Sequence, residues 1–362
     1  MSRLTRADLD ALPAYVPGCN VADLARELGI AEAIKLASNE VPYGPLPGVP
    51  EAVLEAVQSV HRYPDMGAVA LRDALAERLG VTADRVVTGC GSVALAETLV
   101  KATCLPGDEI VYSWRSFEAY PIIAAGAAAT SVRVPNTAAH GHDLPAMADA
   151  ITEQTRLVLV CNPNNPTGTS LRKAELDRFL AAVPSDVLVV LDEAYRELVT
   201  DPEVPDALAT YGDRPNVVVL RTMSKAWGLA GLRMGYLIAQ PEVAAAIRKV
   251  LTPFSTSMVA QAAALAALTQ EDEVRRRCSL VVSERDRVTE ALRKLSLDVP
   301  ASQANFVWLP LGDKAAPFGA LCEGRGVIVR PFQPEGVRVT IGTPAENDAF
   351  LAAAEAALEQ LG

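Results

Sequence analysis

The sequence predicts an α/β fold: a large domain built on an open, mostly parallel sheet with helices on both faces, followed by a smaller α+β domain. Three observations carry that expectation. Six short apolar runs, Arg85–Thr88, Glu109–Tyr112, Leu157–Cys161, Val187–Leu191, Asn216–Leu220 and Met234–Ile238, alternate with helix-like segments. Runs such as Leu188-Val-Val-Leu191 are apolar at every position, as in strands buried on both faces. Two of the runs pass abruptly into polar residues at their carboxyl ends, where open α/β sheets bind ligands.

In chain order, an N-terminal arm over residues 1–30 precedes helix-like Pro50–Val60 and Ala68–Leu79, the latter stopped by Gly80. The alternating strands and helices follow. Val259–Leu268 is alanine-rich and reads as a packed helix, being short and containing Gln261. The helix-period segment Val282–Leu295 leads into the smaller domain. The expected division is therefore an arm over 1–30, a large domain over 31–270 and a small domain over 271–362, which part of the arm joins.

Composition limits the function. A length of 362 residues suggests about two domains, and a chain of this size buries around three-quarters of its unfolded surface. The net charge of -11 argues against nucleic acid as the main partner. Six cysteines are scattered without a C-x-x-C pair, and Cys90, Cys104 and Cys161 fall in or beside apolar runs, which fits free thiols in a reducing cytoplasm. The first residues lack the apolar stretch of a signal peptide, and no run approaches the roughly twenty residues that span a membrane. His140 and His142 sit in a polar loop with too few neighbouring ligands for a metal, and read as solvated histidines.

Lys225 lies in Arg221-Thr-Met-Ser224-Lys225-Ala-Trp-Gly-Leu-Ala-Gly-Leu-Arg233, among small, hydroxyl-bearing and cationic neighbours. A lysine near its reference pKa of about 10.4 is protonated and a poor nucleophile, whereas one held beside cations in a dry pocket forms a Schiff base with an aldehyde. Ser224 and Arg233 would hold an anion beside it. Taken alone, the segment reads equally well as a glycine-broken loop with a solvated lysine.

Four further segments bear on that choice. Asp192 follows the run Leu188–Leu191, where a fixed carboxylate can keep a pyridine nitrogen protonated, as an electron-sink ring requires. It can also cap the following helix. Three residues on, Tyr195 can hydrogen-bond a ring oxygen. In Cys161-Asn162-Pro163-Asn164-Asn165-Pro166-Thr167-Gly168, Asn165 can donate to a cofactor's phenolate oxygen, although asparagine before proline is also an ordinary turn former. In Thr88-Gly89-Cys90-Gly91-Ser92-Val93-Ala94, Gly91, Ser92 and Val93 open a helix whose N–H groups can cradle a phosphate. Gly89, Gly91 and Ala94 also match a relaxed dinucleotide fingerprint, with Asp108 at about the usual spacing. Asp108 precedes the run Ile110-Val111-Tyr112 instead of ending it, so a phosphate site without a ribose partner is preferred. Last, Arg338 sits in the alternating Gly336-Val-Arg338-Val-Thr340, where its planar fork suits a substrate carboxylate. A solvated edge arginine is the commoner alternative.

In order and in kind, these segments resemble the fold-type I enzymes that use pyridoxal 5'-phosphate, and the chain is similar to the histidinol-phosphate aminotransferase family of class II aminotransferases. The likeness runs from Leu12-Pro-Ala-Tyr15-Val-Pro-Gly18, through Leu36-Ala37-Ser38-Asn39-Glu40 and Arg62-Tyr63-Pro64-Asp65, to the last helix. It implies that Lys225 forms the Schiff base, that Asp192 pairs with the pyridine nitrogen, and that Asn165 and Tyr195 contact the ring oxygen. The phosphate would be held by Gly91, Ser92, Ser224 and Arg233, with Tyr63 reaching it from a second subunit, which implies a homodimer with shared active sites. Phe117 would stack on the ring, though an aromatic there also suits ordinary core. Arg338 would bind the substrate carboxylate, supported by Asn39. The implied reaction is a ping-pong exchange between an amino acid and a 2-oxo acid, in which the freed Lys225 moves a proton from the substrate Cα.

Departures from the family pattern bear on substrate. Val41 in Asn39-Glu40-Val41-Pro42 and Cys90 between its two glycines both differ from many members. Arg330 remains as a second anion site, yet the connection from Arg330 to Arg338, through Pro331, Phe332 and Pro334, is shorter and more apolar than usual. Together with Trp114-Arg115-Ser116-Phe117 and Ala304–Pro310, these features resemble the actinobacterial branch of aromatic amino acid, or phenylalanine, aminotransferases. Histidinol phosphate is the alternative substrate. A decarboxylase of phosphorylated amino acids on the same scaffold is a rival class, and a cofactor-binding regulator is disfavoured because no segment is spare for a DNA-binding module.

Overall fold

The computed structural model describes residues 4, 6, 21–30 and 33–362. Most of the expected arm, including the Leu12–Gly18 motif, lies outside the described residues. The strands are β1 (Ile34–Lys35), β2 (Val86–Gly89), β3 (Glu109–Trp114), β4 (Thr130–Pro135), β5 (Thr155–Cys161), β6 (Leu188–Asp192), β7 (Val217–Thr222), β8 (Gly235–Ile238), β9 (Phe306–Leu309), β10 (Val327–Ile328), β11 (Arg330–Phe332) and β12 (Gly336–Thr340).

Seven of them form the central sheet in the order β2-β8-β7-β6-β5-β3-β4. β8 is antiparallel to both neighbours and the remaining pairs are parallel. Helices separate the parallel strands in sequence, as such crossovers require. The all-apolar strands are explained by burial on both faces. Val158, Val160, Val189 and Leu191 face one core, while Leu157, Leu159, Cys161 and Val190 face the other. Each of these side chains, fully enclosed, contributes roughly 1.5–3 kcal/mol relative to exposure.

The expected strands are all present with ends shifted by a residue or two, and one strand of the central sheet was missed. β4 is an edge strand in which Thr130, Arg133 and Pro135 are exposed, so it lacks the continuous apolar run that marks its neighbours. The helix expected over Val282–Leu295 begins earlier, running from Glu271 to Lys294. Its first half is masked in sequence by charge, and Glu271–Arg275 and Glu273–Arg277 pair there one turn apart.

Beyond that helix, β11, β12 and β9 form an antiparallel three-stranded sheet. The early segment returns to this end of the chain, because β1 pairs in parallel with β10, and Leu36 O accepts from Thr340 N–H at 2.9 Å. The last helix, Pro344–Leu361, is closed by a capping box between Thr343 and Glu346. Phe306, Phe318 and Phe350 of this region join the same core as one face of the central sheet. Among the described residues, no helix is long and apolar enough to cross a membrane.

Candidate active site

The carboxyl ends of the parallel strands converge on one cavity of about 240 Å³. Cys161 and Asp192 stand opposite each other as the last residues of β5 and β6. The parallel register therefore delivers Asp192 and, four residues past Cys161, Asn165 to the same edge. Lys225 follows β7 by three residues and lines the cavity with them.

Asp192 is buried. Tyr120 donates its hydroxyl to Oδ2 at 2.9 Å, while Oδ1 finds no hydrogen-bond partner among the described residues. Burial raises its pKa to about 6, opposed by the Tyr120 hydrogen bond. A buried carboxylate oxygen that lines a cavity and lacks a partner fits a cationic N–H donor from a ligand.

Lys225 opens in part to the cavity, and its Nζ donates to Ser38 O at 3.1 Å. Enclosure by protein, then the nearby Arg338, lower its pKa to about 7, with Arg233 adding to the effect. An amine at that pKa is available in neutral form near neutral pH, the state a nucleophile or base needs.

The anion cradle is assembled from two elements. The helix Gly91–Thr103 presents its first N–H groups at Gly91, Ser92 and Val93. β8 packs so tightly on this start that a Cβ at Gly235 would lie 2.5 Å from Ser92 N. Arg233 adopts a left-handed backbone at φ 57°, and a Cβ on Gly91 would lie 2.8 Å from its Nη2. Guanidinium and helix start are thus in close contact. Ser224 lines the cavity beside them, its N–H held by Thr222 Oγ1 at 3.1 Å. Asp108 accepts from Leu105 N–H in the turn before β3, at the wrong end of the strand for a ribose ligand.

The opposite wall is polar and tightly bonded. Arg338 is buried and donates Nη1 to Asn165 Oδ1 at 2.5 Å and Nη2 to Ala37 O at 2.6 Å. Asn39, also left-handed at φ 56°, donates Nδ2 to Tyr195 OH at 2.9 Å and its N–H to Thr340 Oγ1. It ties the early segment to both β12 and the turn after β6. Strained backbone at two cavity residues is what an over-determined site tolerates. Phe117 and Arg330 complete this part of the lining.

Thirteen of the fourteen expected site residues thus gather here. Tyr63 is the exception: it is 80 % exposed and stacks on Phe254 at 4.6 Å, away from the cavity of its own chain. Sequence reasoning missed Tyr120, Cys161 and Thr222 as site neighbours, and Glu118, which pairs with Arg330 at 3.1 Å. Cys161 had a signal in its place at a strand end; Tyr120 and Glu118 had none. His142 is buried, not solvated, with Nε2 2.7 Å from Cys161 O, and burial lowers its pKa to about 4.

The chain matches the family model described as aminotransferase class I and II over residues 31–353. It is 57 % identical over 350 residues to an aromatic amino acid aminotransferase of Streptomyces avermitilis, covering 97 % of this chain and 96 % of that one. A protein of the same name from Streptomyces coelicolor is 56 % identical with the same coverage. Among solved structures, the histidinol-phosphate aminotransferase of Sinorhizobium meliloti, in complex with pyridoxal-5'-phosphate, superposes with a TM-score of 0.89 at 29 % identity, covering 100 % of this chain and 99 % of that one.

Proposed function

Because the chain belongs to the class I and II aminotransferase family, we propose that it moves the amino group of an aromatic L-amino acid to a 2-oxo acid with pyridoxal 5'-phosphate as its cofactor. The observation that carries this reading is the charge pattern of one cavity, whose lining brings together Lys225 with its lowered pKa, the open Oδ1 of Asp192 and the guanidinium of Arg338. The aromatic preference is supported by the names of the relatives at 57 % and 56 % identity.

The residues present fit the cofactor. Asp192 Oδ1 would accept from the pyridine nitrogen; Asn165 and Tyr195 would contact the ring oxygen, and Phe117 would cover a ring face. Gly91, Ser92, Val93, Ser224 and Arg233 would hold the phosphate, and Lys225 would meet the aldehyde. When bound, the cofactor supplies an electrophilic carbon and an electron sink.

The chain supplies position and proton control. Arg338 fixes the substrate carboxylate through its planar fork, and Asn39 supports it through Tyr195 and Thr340. Asp192 would keep a proton on the ring nitrogen, where burial strengthens such a pairing. Lys225, with a pKa of about 7, takes the proton from the substrate Cα.

The same reading gives a homodimer in which Tyr63 of a second copy reaches the phosphate. Its support is the exposure of Tyr63 together with Leu54, Val57, Val60, Met66 and Val69 along one stretch of chain. An arm over 1–30, a large domain over 31–270 and a small domain over 271–362 are supported by the helix that starts at Glu271 and by the clustering of Leu24 and Ala25 with Ile328. A cytoplasmic location is supported by the free thiols Cys90, Cys104, Cys161, Cys278 and Cys322.

The test is to incubate the cofactor-loaded protein with a 2-oxo acid and either L-phenylalanine or histidinol phosphate, following the keto product and carbon dioxide. Phenylpyruvate formation with the higher kcat/KM is the expected result. A preference for histidinol phosphate would overturn the aromatic assignment, and carbon dioxide release without keto product would overturn transamination.

A further inference from the structure

Arg330 and Arg338 are Cα partners across β11 and β12, so their side chains leave the same face of that sheet, and both line the cavity. Arg338 donates to the Asn165 amide and the Ala37 carbonyl. Arg330 meets a carboxylate: its Nη2 donates to Glu118 Oε2 at 3.1 Å. Glu118 follows the cavity residue Phe117 and sits at the start of the helix Ala119–Gly126, 212 residues away in sequence. Both side chains are partly buried, at 15 % and 29 % exposure, so the pair is less screened than one on open surface. Arg330 also lies over Phe332 at 5.6 Å.

An anionic substrate side chain reaching Arg330 must displace the Glu118 carboxylate or share the guanidinium with it at like-charge distance. An aromatic side chain has neither cost and gains the apolar face beside it. Discrimination of this kind comes from a repulsive element placed against the unwanted ligand, not from an added attraction.

We propose that Glu118 is a positioning residue that sets substrate specificity, holding Arg330 so that the second cation of the cavity is balanced by the chain itself and anionic side chains, carboxylate or phosphate, are disfavoured. This rests on the amino-acid site proposed above. The role differs from a purely structural strut in being selective: loss of the carboxylate alters the affinity for one class of ligand and spares the other.

The experiment uses the cofactor-loaded protein and two unreactive analogues, glutarate and 3-phenylpropionate, with dissociation constants from calorimetric titration. Glu118→Gln should tighten glutarate by on the order of tenfold, as removal of a like charge beside a cation predicts, and leave 3-phenylpropionate within about twofold. The kcat/KM for L-glutamate should rise in parallel. In Glu118→Gln/Arg330→Gln the gain for glutarate should vanish. Equal changes for both analogues, or unchanged glutarate affinity in a folded Glu118→Gln protein, would overturn the proposal. Should Glu118→Gln fail to fold, Glu118→Ala, which also removes the carboxylate, must show the same selective gain or the proposal falls. A wild-type protein inert toward every amino acid would overturn the proposed function instead, and the two analogue affinities would still decide the role of Glu118.

Discussion

Tyr120 donates its hydroxyl to Oδ2 of Asp192 across 2.9 Å, with both side chains buried, and so fixes which oxygen of the carboxylate remains open. The bond also opposes the rise in the Asp192 pKa that burial causes. A hydrogen bond to a charged group is worth about 1.5–3 kcal/mol.

Tyr120→Phe should therefore weaken pyridoxal phosphate binding by roughly tenfold near neutral pH, since the carboxylate loses both its anchor and part of its preference for the ionised form. The Asp192 pKa should climb above its present value of about 6. Equilibrium dialysis of the cofactor across pH 5 to 8 measures both, and an unchanged affinity profile would show that Tyr120 is only packed against the site.

Asp192 and Lys225 act on the stability of the cofactor-free protein in separate pH windows. Burial raises Asp192 from 3.8 to about 6, so its contribution is full below pH 3.8 and is lost as pH rises through 6. Lys225 is lowered from 10.5 to about 7, so its contribution is full above pH 10.5 and is lost as pH falls through 7. Across the upper window, from about pH 7 to 10.5, Lys225 should raise stability with pH by up to a few kcal/mol. Lys225→Ala should remove that slope in denaturant titrations, bind pyridoxal phosphate noncovalently and lack transamination. A slope that persists in the variant would assign it to other groups.

The residues legible in the sequence are those that follow a buried strand. Asp192, Asn165 and Lys225 each stand at or just beyond an apolar run, so topology alone brings them together. Arg338 is legible by its alternating strand. Glu118 and Tyr120 are not, because their partners lie 212 and 72 residues away and nothing in a local window marks them. The same holds for Asn39, whose bonds to Tyr195 and Thr340 span 156 and 301 residues, and which only the family likeness pointed out. β4 was hidden for a simpler reason, being half exposed at the sheet edge.

Gly91 carries two constraints at once. Its φ of 81° lies in the left-handed region, and an added Cβ would lie 2.8 Å from Arg233 Nη2. Gly91→Ala should cost about 1 kcal/mol in stability from backbone strain and displace the guanidinium from the anion cradle. Cofactor affinity should fall by more than stability does, which parallel thermal melts and cofactor titrations would separate. A loss confined to stability would place Arg233 outside the phosphate site.

Substitution of Arg338 should act on every amino acid substrate alike. Its guanidinium is buried, spans Asn165 and Ala37, and lies 5.5 Å from the Phe306 ring. Removing one partner of a buried charge-assisted contact costs about 2–5 kcal/mol. Arg338→Ala should raise KM for aromatic and acidic amino acids by a hundredfold or more. Arg338→Lys should recover little, because a single ammonium cannot reproduce the bidentate fork. Steady-state kinetics on L-phenylalanine and L-glutamate read this directly: a rise confined to L-glutamate would make Arg338 a side-chain ligand and leave the α-carboxylate to another cation.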